Sequence, residues 1–156
     1  MINVAFTGIL MGILALLLVI AAVVDIRTFT ISNKLNLAVA LLAPLYWYAA
    51  QFTFGQIVLM VAAAVVVFLL FAATFYAGLM GGGDVKLAAA LALWFPPYAT
   101  IKMLVLMSVA GGVLTLGIVA WHRFKNRPGK PEIPYGVAIA SGGLVILAQR
   151  FLNQFA

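Results

Sequence analysis

The sequence predicts an all-α membrane protein: a six-transmembrane-helix bundle with both termini on the extracytoplasmic side. Three observations carry that expectation. The 156 residues are 67% hydrophobic and only 8% charged, whereas a soluble domain carries roughly a quarter charged residues. The apolar residues gather into six runs separated by short polar gaps. The nine Lys/Arg, against three Asp/Glu, sit in those gaps, where membrane topology places them.

The first run, Val4 to Val24, is long enough to span, since about 20 residues at ~1.5 Å rise cover the hydrocarbon core. No Lys or Arg precedes Arg27, so the run lacks the basic n-region of a signal peptide and reads as a retained helix. The polar stretch DIRTFTISNKLN follows. A second run, Leu37 to Phe52, contains Pro44 and a Tyr46-Trp47-Tyr48 cluster of the kind that forms interfacial belts. TFGQ reads as a tight uncharged turn, and Ile57 to Ala77 as the third span. Val85 to Phe95 covers only about half the core before Pro96 and Pro97. Met103 to Trp121 is a clear span, HRFKNRPGKPEIP a basic, proline-rich loop, and Tyr135 to Leu152 the last span.

Charge decides whether the short fourth segment crosses. If it does, one side carries Arg27, Lys34, Lys86, Arg123, Lys125, Arg127 and Lys130, and the other only Lys102 and Arg150. That is a strong positive-inside bias. A re-entrant fourth segment would send the basic loop outside. The expectation is therefore six crossings, in a single integral-membrane domain over residues 1–156, with no internal repeat.

Composition also excludes chemistry. With no cysteine there is no disulfide, thiol nucleophile or cysteine–metal site. One histidine, His122, makes no histidine cluster and reads as an interfacial residue. The bases form no basic amphipathic element, so nucleic acid is not an expected partner. No cofactor or metal is expected.

What remains is acid. Asp25, Asp84 and Glu132 all fall on the basic, cytoplasmic side. Glu132 reads as a solvated partner among the loop bases. Asp25 ends the first helix and Asp84 begins the fourth. A carboxylate near hydrocarbon depth costs a few kcal/mol on insertion scales and marks function. Two carboxylates brought to about 3 Å share a proton, leaving one as general base and the other as acid. That is peptide hydrolysis without metal, thiol or histidine. From the residues alone, helix caps and a proton-carrying transporter site stand beside this reading, although a transporter often shows an inverted repeat. The glycines Gly81 to Gly83 permit φ > 0 and close backbone approach beside Asp84, which suits an extended substrate strand. Met103, Met107 and Gly111-Gly112 read as helix packing.

These residues resemble a known family. GGGD, Gly81 to Asp84, has the G-x-G-D form of membrane aspartyl proteases. DIRTFTISN, Asp25 to Asn33, is similar to the first-aspartate motif of type IV prepilin peptidases, and GGGDVK to their second. IPYGVAIASGG, Ile133 to Gly143, resembles their last-helix signature. The nearest subgroup is the short form serving Flp/tight-adherence pili. The resemblance implies Asp25 and Asp84 as catalytic residues. The match of Gly81, Gly83, Lys86, Arg27 and Asn33 to motif positions implies supporting roles. It further implies a multi-pass protein of the bacterial inner membrane, whose partner is a prepilin with a basic leader and a hydrophobic helix, cut at the cytoplasmic face. Longer members carry a Cys-x-x-Cys domain and also N-methylate the product; this chain has neither cysteine nor room for that domain, so peptidase activity alone is expected. A presenilin-like role, cutting within helices, shares G-x-G-D but not the DIR and IPY motifs.

Overall fold

The computed structural model describes residues 4–125, 129 and 131–155, with 154 and 155 given by backbone alone. Arg127 and Lys130 of the basic loop lie outside the described residues. The fold is all-helical: α1 (Val4–Thr28), α2 (Asn33–Ala49), α3 (Phe54–Tyr76), α4 (Gly82–Ala92), α5 (Pro97–Phe124) and α6 (Tyr135–Phe155). Helices α1, α3, α5 and the Tyr135–Asn153 part of α6 are long and apolar enough to cross a membrane. Helices α2 and α4, of 17 and 11 residues, are shorter. Leu16, Leu69 and Leu116 are 60%, 62% and 73% exposed, among many outward-facing apolar side chains. A surface of that kind is costly in water and at home in lipid. The protein is membrane-embedded.

Helix ends follow local chemistry. Helix α1 runs one turn past Asp25, because Asp25, Ile26 and Arg27 are all helix-compatible, and Thr28 Oγ1 donates back to Val24 O (2.9 Å). Phe29 then stops it in the left-handed region (φ 51°), donating its N–H to Asp25 O (2.8 Å). Helix α2 begins earlier than the apolar run does, at Asn33, where the Ser32 side chain caps Leu35 N–H (3.3 Å). It ends at Ala49 rather than Phe52. TFGQ is a helix start and not a turn: Thr53 and Gln56 form a reciprocal capping box at the head of α3. Pro96 and Pro97 likewise begin a helix. Proline is favoured in a first turn, where its missing N–H has no partner to lose, so α5 extends from Pro97 and includes Tyr98 to Lys102.

Successive helices run in alternate directions, and side-chain contacts fix both ends. At one end Lys86 Nζ of α4 bonds Asn33 Oδ1 at the head of α2 (2.8 Å), and Val137 N–H of α6 bonds Asp25 near the end of α1 (3.2 Å). At the other, Arg150 of α6 bonds Tyr46 Oη and Trp94 O (both 3.1 Å), joining the far ends of α2, α4 and α6. Short α4 is central, packed on α2, α3, α5 and α6, with Leu87, Ala88, Leu91 and Ala92 inaccessible.

The aromatic cluster departs from a belt. Only Tyr48 is exposed; Tyr46 is buried and stacks on Trp94 (centroids 5.0 Å), and Trp47 Nε1 donates to Leu93 O (2.7 Å). Tyrosine and tryptophan also serve cores where their polar atom finds a partner, and the end of α4 supplies one. Trp94 Nε1 in turn donates to Val39 O (2.9 Å). Trp94→Phe is therefore expected to lower stability by about 1–3 kcal/mol, read as a lower unfolding temperature in detergent. Met103, Met107 and Gly111 are buried packing residues, and a Cβ on the last would stand 3.5 Å from Ala138 Cβ, whereas Gly112 is exposed.

Candidate active site

The two aspartates reach one place from different helices. Asp25 lies one turn before the end of α1 and is 1% exposed; Asp84 lies in the first turn of α4 and is 8% exposed. The Asp84 carboxylate lies within electrostatic reach of Asp25. Two rare, buried acids thus stand near one another at one end of the bundle.

Each acid also meets a helix N-terminus. The first N–H groups of a helix have no partner within it and form the positive end of its dipole. Asp25 Oδ2 accepts from Val137 N–H in the first turn of α6, and Gly136 of the same turn lies close beside the carboxylate. Asp84 reaches back to the backbone of Gly81, which precedes α4. Its other oxygen, Oδ1, is buried and has no hydrogen-bond partner among the described residues.

Glycines make this approach possible, though not by the route the triplet implies. Gly81, Gly82 and Gly83 do not adopt positive φ; Gly78, three residues earlier, does (φ 70°). What Gly83 supplies is space. A Cβ there would stand 2.6 Å from Ile31 O and 3.1 Å from Ile31 N. That room is taken by the chain's own segment after α1. Gly81 lies beside Asp84, where a Cβ would be 3.0 Å from Oδ2.

Three contributors escaped sequence reasoning. A Cβ on Gly136 would stand 2.8 Å from both Cγ and Oδ2 of Asp25 and 2.6 Å from Ile31 Cδ1. The signal was its place in the IPYGVAIASGG stretch, two places after Pro134 at a helix start. Ile31 itself lies within the DIRTFTISN motif but was not singled out, and Asn36, whose Nδ2 donates to Gly83 O (2.9 Å), gave no signal, because only folding sets them against α4.

The charged motif residues are placed elsewhere. Arg27 is exposed in the last turn of α1, and neither Arg27 nor Lys86 bonds or pairs with either aspartate. Lys86 pairs with Asn33 at the mouth of an apolar groove of about 560 Å³ between α2, α3 and α4. His122 Nε2 contacts Gly129 O (3.0 Å), and Glu132 is exposed. Among the described residues no three His, Cys, Asp or Glu side chains gather as metal ligands. A second groove of about 500 Å³, between α3, α5 and α6, reaches Met80 and Tyr135, the neighbours of Gly81 and Gly136.

Fold and site define a class: a membrane-embedded helical protein with two buried aspartates meeting at helix ends. Comparison of the sequence with protein-family models matches the type IV leader peptidase family over residues 12–116, more than half of the chain. The chain belongs to the type IV leader peptidase family. The matched stretch contains Asp25, Asn33, Asp84 and Lys86 and stops before α6. No curated protein and no solved structure gives a significant match.

Proposed function

We propose that this protein is an aspartyl endopeptidase that removes the short basic leader from type IV prepilins, those of Flp/IVb type, at the cytoplasmic face of the bacterial inner membrane. The observation that carries the reading is the meeting of Asp25 and Asp84, buried and in electrostatic contact, in a member of a peptidase family. One carboxylate takes a proton from water as the oxygen attacks the scissile carbonyl. The other, protonated, donates to the carbonyl oxygen as negative charge develops there. Collapse of the tetrahedral intermediate breaks the C–N bond, and the proton held by the first carboxylate goes to the leaving amine. Unpartnered Asp84 Oδ1 offers an acceptor for this chemistry, and Gly83 and Gly136 let the Ile31 segment pack closely beside both acids.

The substrate has two parts, a basic leader and an apolar segment, and the molecule offers a place for the second. The apolar pilin segment fits the lateral groove between α3, α5 and α6, where Ser108, Gly111, Gly112 and Thr115 leave room for a close helix. Arg27, Asn33 and Lys86 support the site from its rim, the last two as a bonded pair. We place residues 1–156 in one domain with six crossings and both termini extracytoplasmic. The alternating helix directions and the bases at the aspartate end support that topology. N-methylation of the product is not part of the proposed activity.

The reading is tested by co-expressing a type IVb prepilin with the wild type, Asp25→Asn or Asp84→Asn, and following leader loss by gel shift. Proton or solute flux in liposomes, lost in the same variants while no prepilin is cut, would favour a transporter instead. Topology has its own check: reporters fused after Lys125 and after Gln51 read cytoplasmic and periplasmic respectively. A periplasmic reading after Lys125 overturns the six-crossing arrangement.

A further inference from the structure

The segment between α1 and α2 is wedged between the supports of the two aspartates. Ile31 is buried (7% exposed). Its backbone fills the space beside Gly83, one residue before Asp84, and its Cδ1 fills the space beside Gly136, which touches Asp25. Ile31 is thus a spacer between the head of α4 and the head of α6. A spacer sets a distance only if something holds the parts against it.

Asn36 does this. It lies in the first turn of α2, 4% exposed, and its Nδ2 donates to Gly83 O (2.9 Å) across 47 residues of sequence. Its Oδ1 is buried with no hydrogen-bond partner among the described residues. A buried acceptor left unsatisfied is costly, so packing alone would be better served there by an apolar side chain. What the amide adds is a tether to the peptide that precedes Asp84.

We propose that Asn36 is a positioning residue, whose amide holds the first turn of α4 against the Ile31 wedge and so sets the separation of the Asp84 and Asp25 carboxylates. Its kinetic readout rests on the two-aspartate reading; its geometric readout does not.

The absence of cysteine makes the geometry directly measurable. Asp25→Cys with Asp84→Cys, in the full chain in detergent, gives a unique thiol pair whose linkage by a short bis-thiol-reactive reagent is timed on gels. Adding Asn36→Leu slows linkage at least about five-fold, and adding Asn36→Gln, which keeps a donor, restores part of the rate. In the otherwise wild-type chain, Asn36→Leu lowers kcat about ten-fold, the equivalent of one charge-free hydrogen bond in the transition state, with KM within a factor of about two. Unfolding temperatures report separately on folding, and Asn36→Ser, smaller and unable to reach Gly83 O, supplies a second variant should the leucine not fit. Linkage rates unchanged in folded Asn36→Leu or Asn36→Ser chains overturn the proposal. If leader cleavage survives Asp25→Asn while Asn36→Leu still slows linkage, the peptidase mechanism fails and the positioning role stands.

Discussion

Asp25→Asn and Asp84→Asn each reduce leader cleavage by about 10³-fold or more, while the protein still accumulates in the membrane. Asparagine keeps the size of the side chain and removes both the base and the transferable proton. General acid–base catalysis by one positioned group is worth roughly 10²–10⁴ in rate, and here the two acids act as a unit, so losing either loses the pair. Survival follows from the surroundings. Val137 N–H, now bonded to Asp25 Oδ2, finds the amide oxygen of asparagine just as well, and a neutral amide is cheaper to bury than a carboxylate. The double variant should therefore be no worse than either single one. Cleavage by either single variant at more than a few per cent of the wild-type rate would falsify the dyad.

Gly83→Ala produces the next largest effect, although it adds only a single methyl group. The new Cβ would stand 2.6 Å from the backbone oxygen of Ile31, and backbone cannot swing aside as a side-chain end can. Either α4 or the 29–32 segment must move, and overpacking of this kind costs typically ~1–3 kcal/mol. Because Asp84 is the next residue, the displacement is delivered to the acid itself. A misplacement of ~1 Å costs about 10²-fold in rate, and that is the expected loss in kcat. Gly136→Ala meets Asp25 directly and should match it. Gly117→Ala, where a Cβ meets nothing within 4 Å, is the control and should be neutral or stabilising by about 0.5–1 kcal/mol, since alanine favours helix over glycine. Equal activity in Gly83→Ala and Gly117→Ala would show that the clash is absorbed without moving Asp84.

The short helix α4 explains why the site is organised around glycine. Its 11 residues are too few to span alone, so it is carried in the middle of the bundle by longer neighbours. At its head, Ile31 and Asn36 pack on the backbone of Gly83; at its tail, Trp47 and Arg150 donate to the carbonyls of Leu93 and Trp94, and Trp94 donates to Val39 O of α2. Arg150, which reads by sequence as an outward-side flank, is in fact partly buried in that tail network. A helix pinned at both ends can hold a buried carboxylate in one place, at the cost of spending polar side chains inside the bundle.

Much of this protein is written in residue type. Apolar runs, base-rich gaps and the scarcity of acid determine an α-helical membrane protein and single out Asp25 and Asp84, because hydrocarbon tolerates few charges and each exception is conspicuous. The G-x-G-D and D-x-R patterns point to the family that the comparison then shows. Three helix starts escaped the reading, because the residues that make them, Thr53 with Gln56, Ser32 and Pro97, also make turns. The partners of the acids were not legible. That α6 offers Gly136 and Val137 to Asp25, that Ile31 fills the space of Gly83, and that Asn36 bonds across 47 residues depend on which helix faces lie together. Periodicity places a residue on a face but does not name the face it meets. Sequence chose the two acids; only the packing of α1, α2, α4 and α6 decided how they are held.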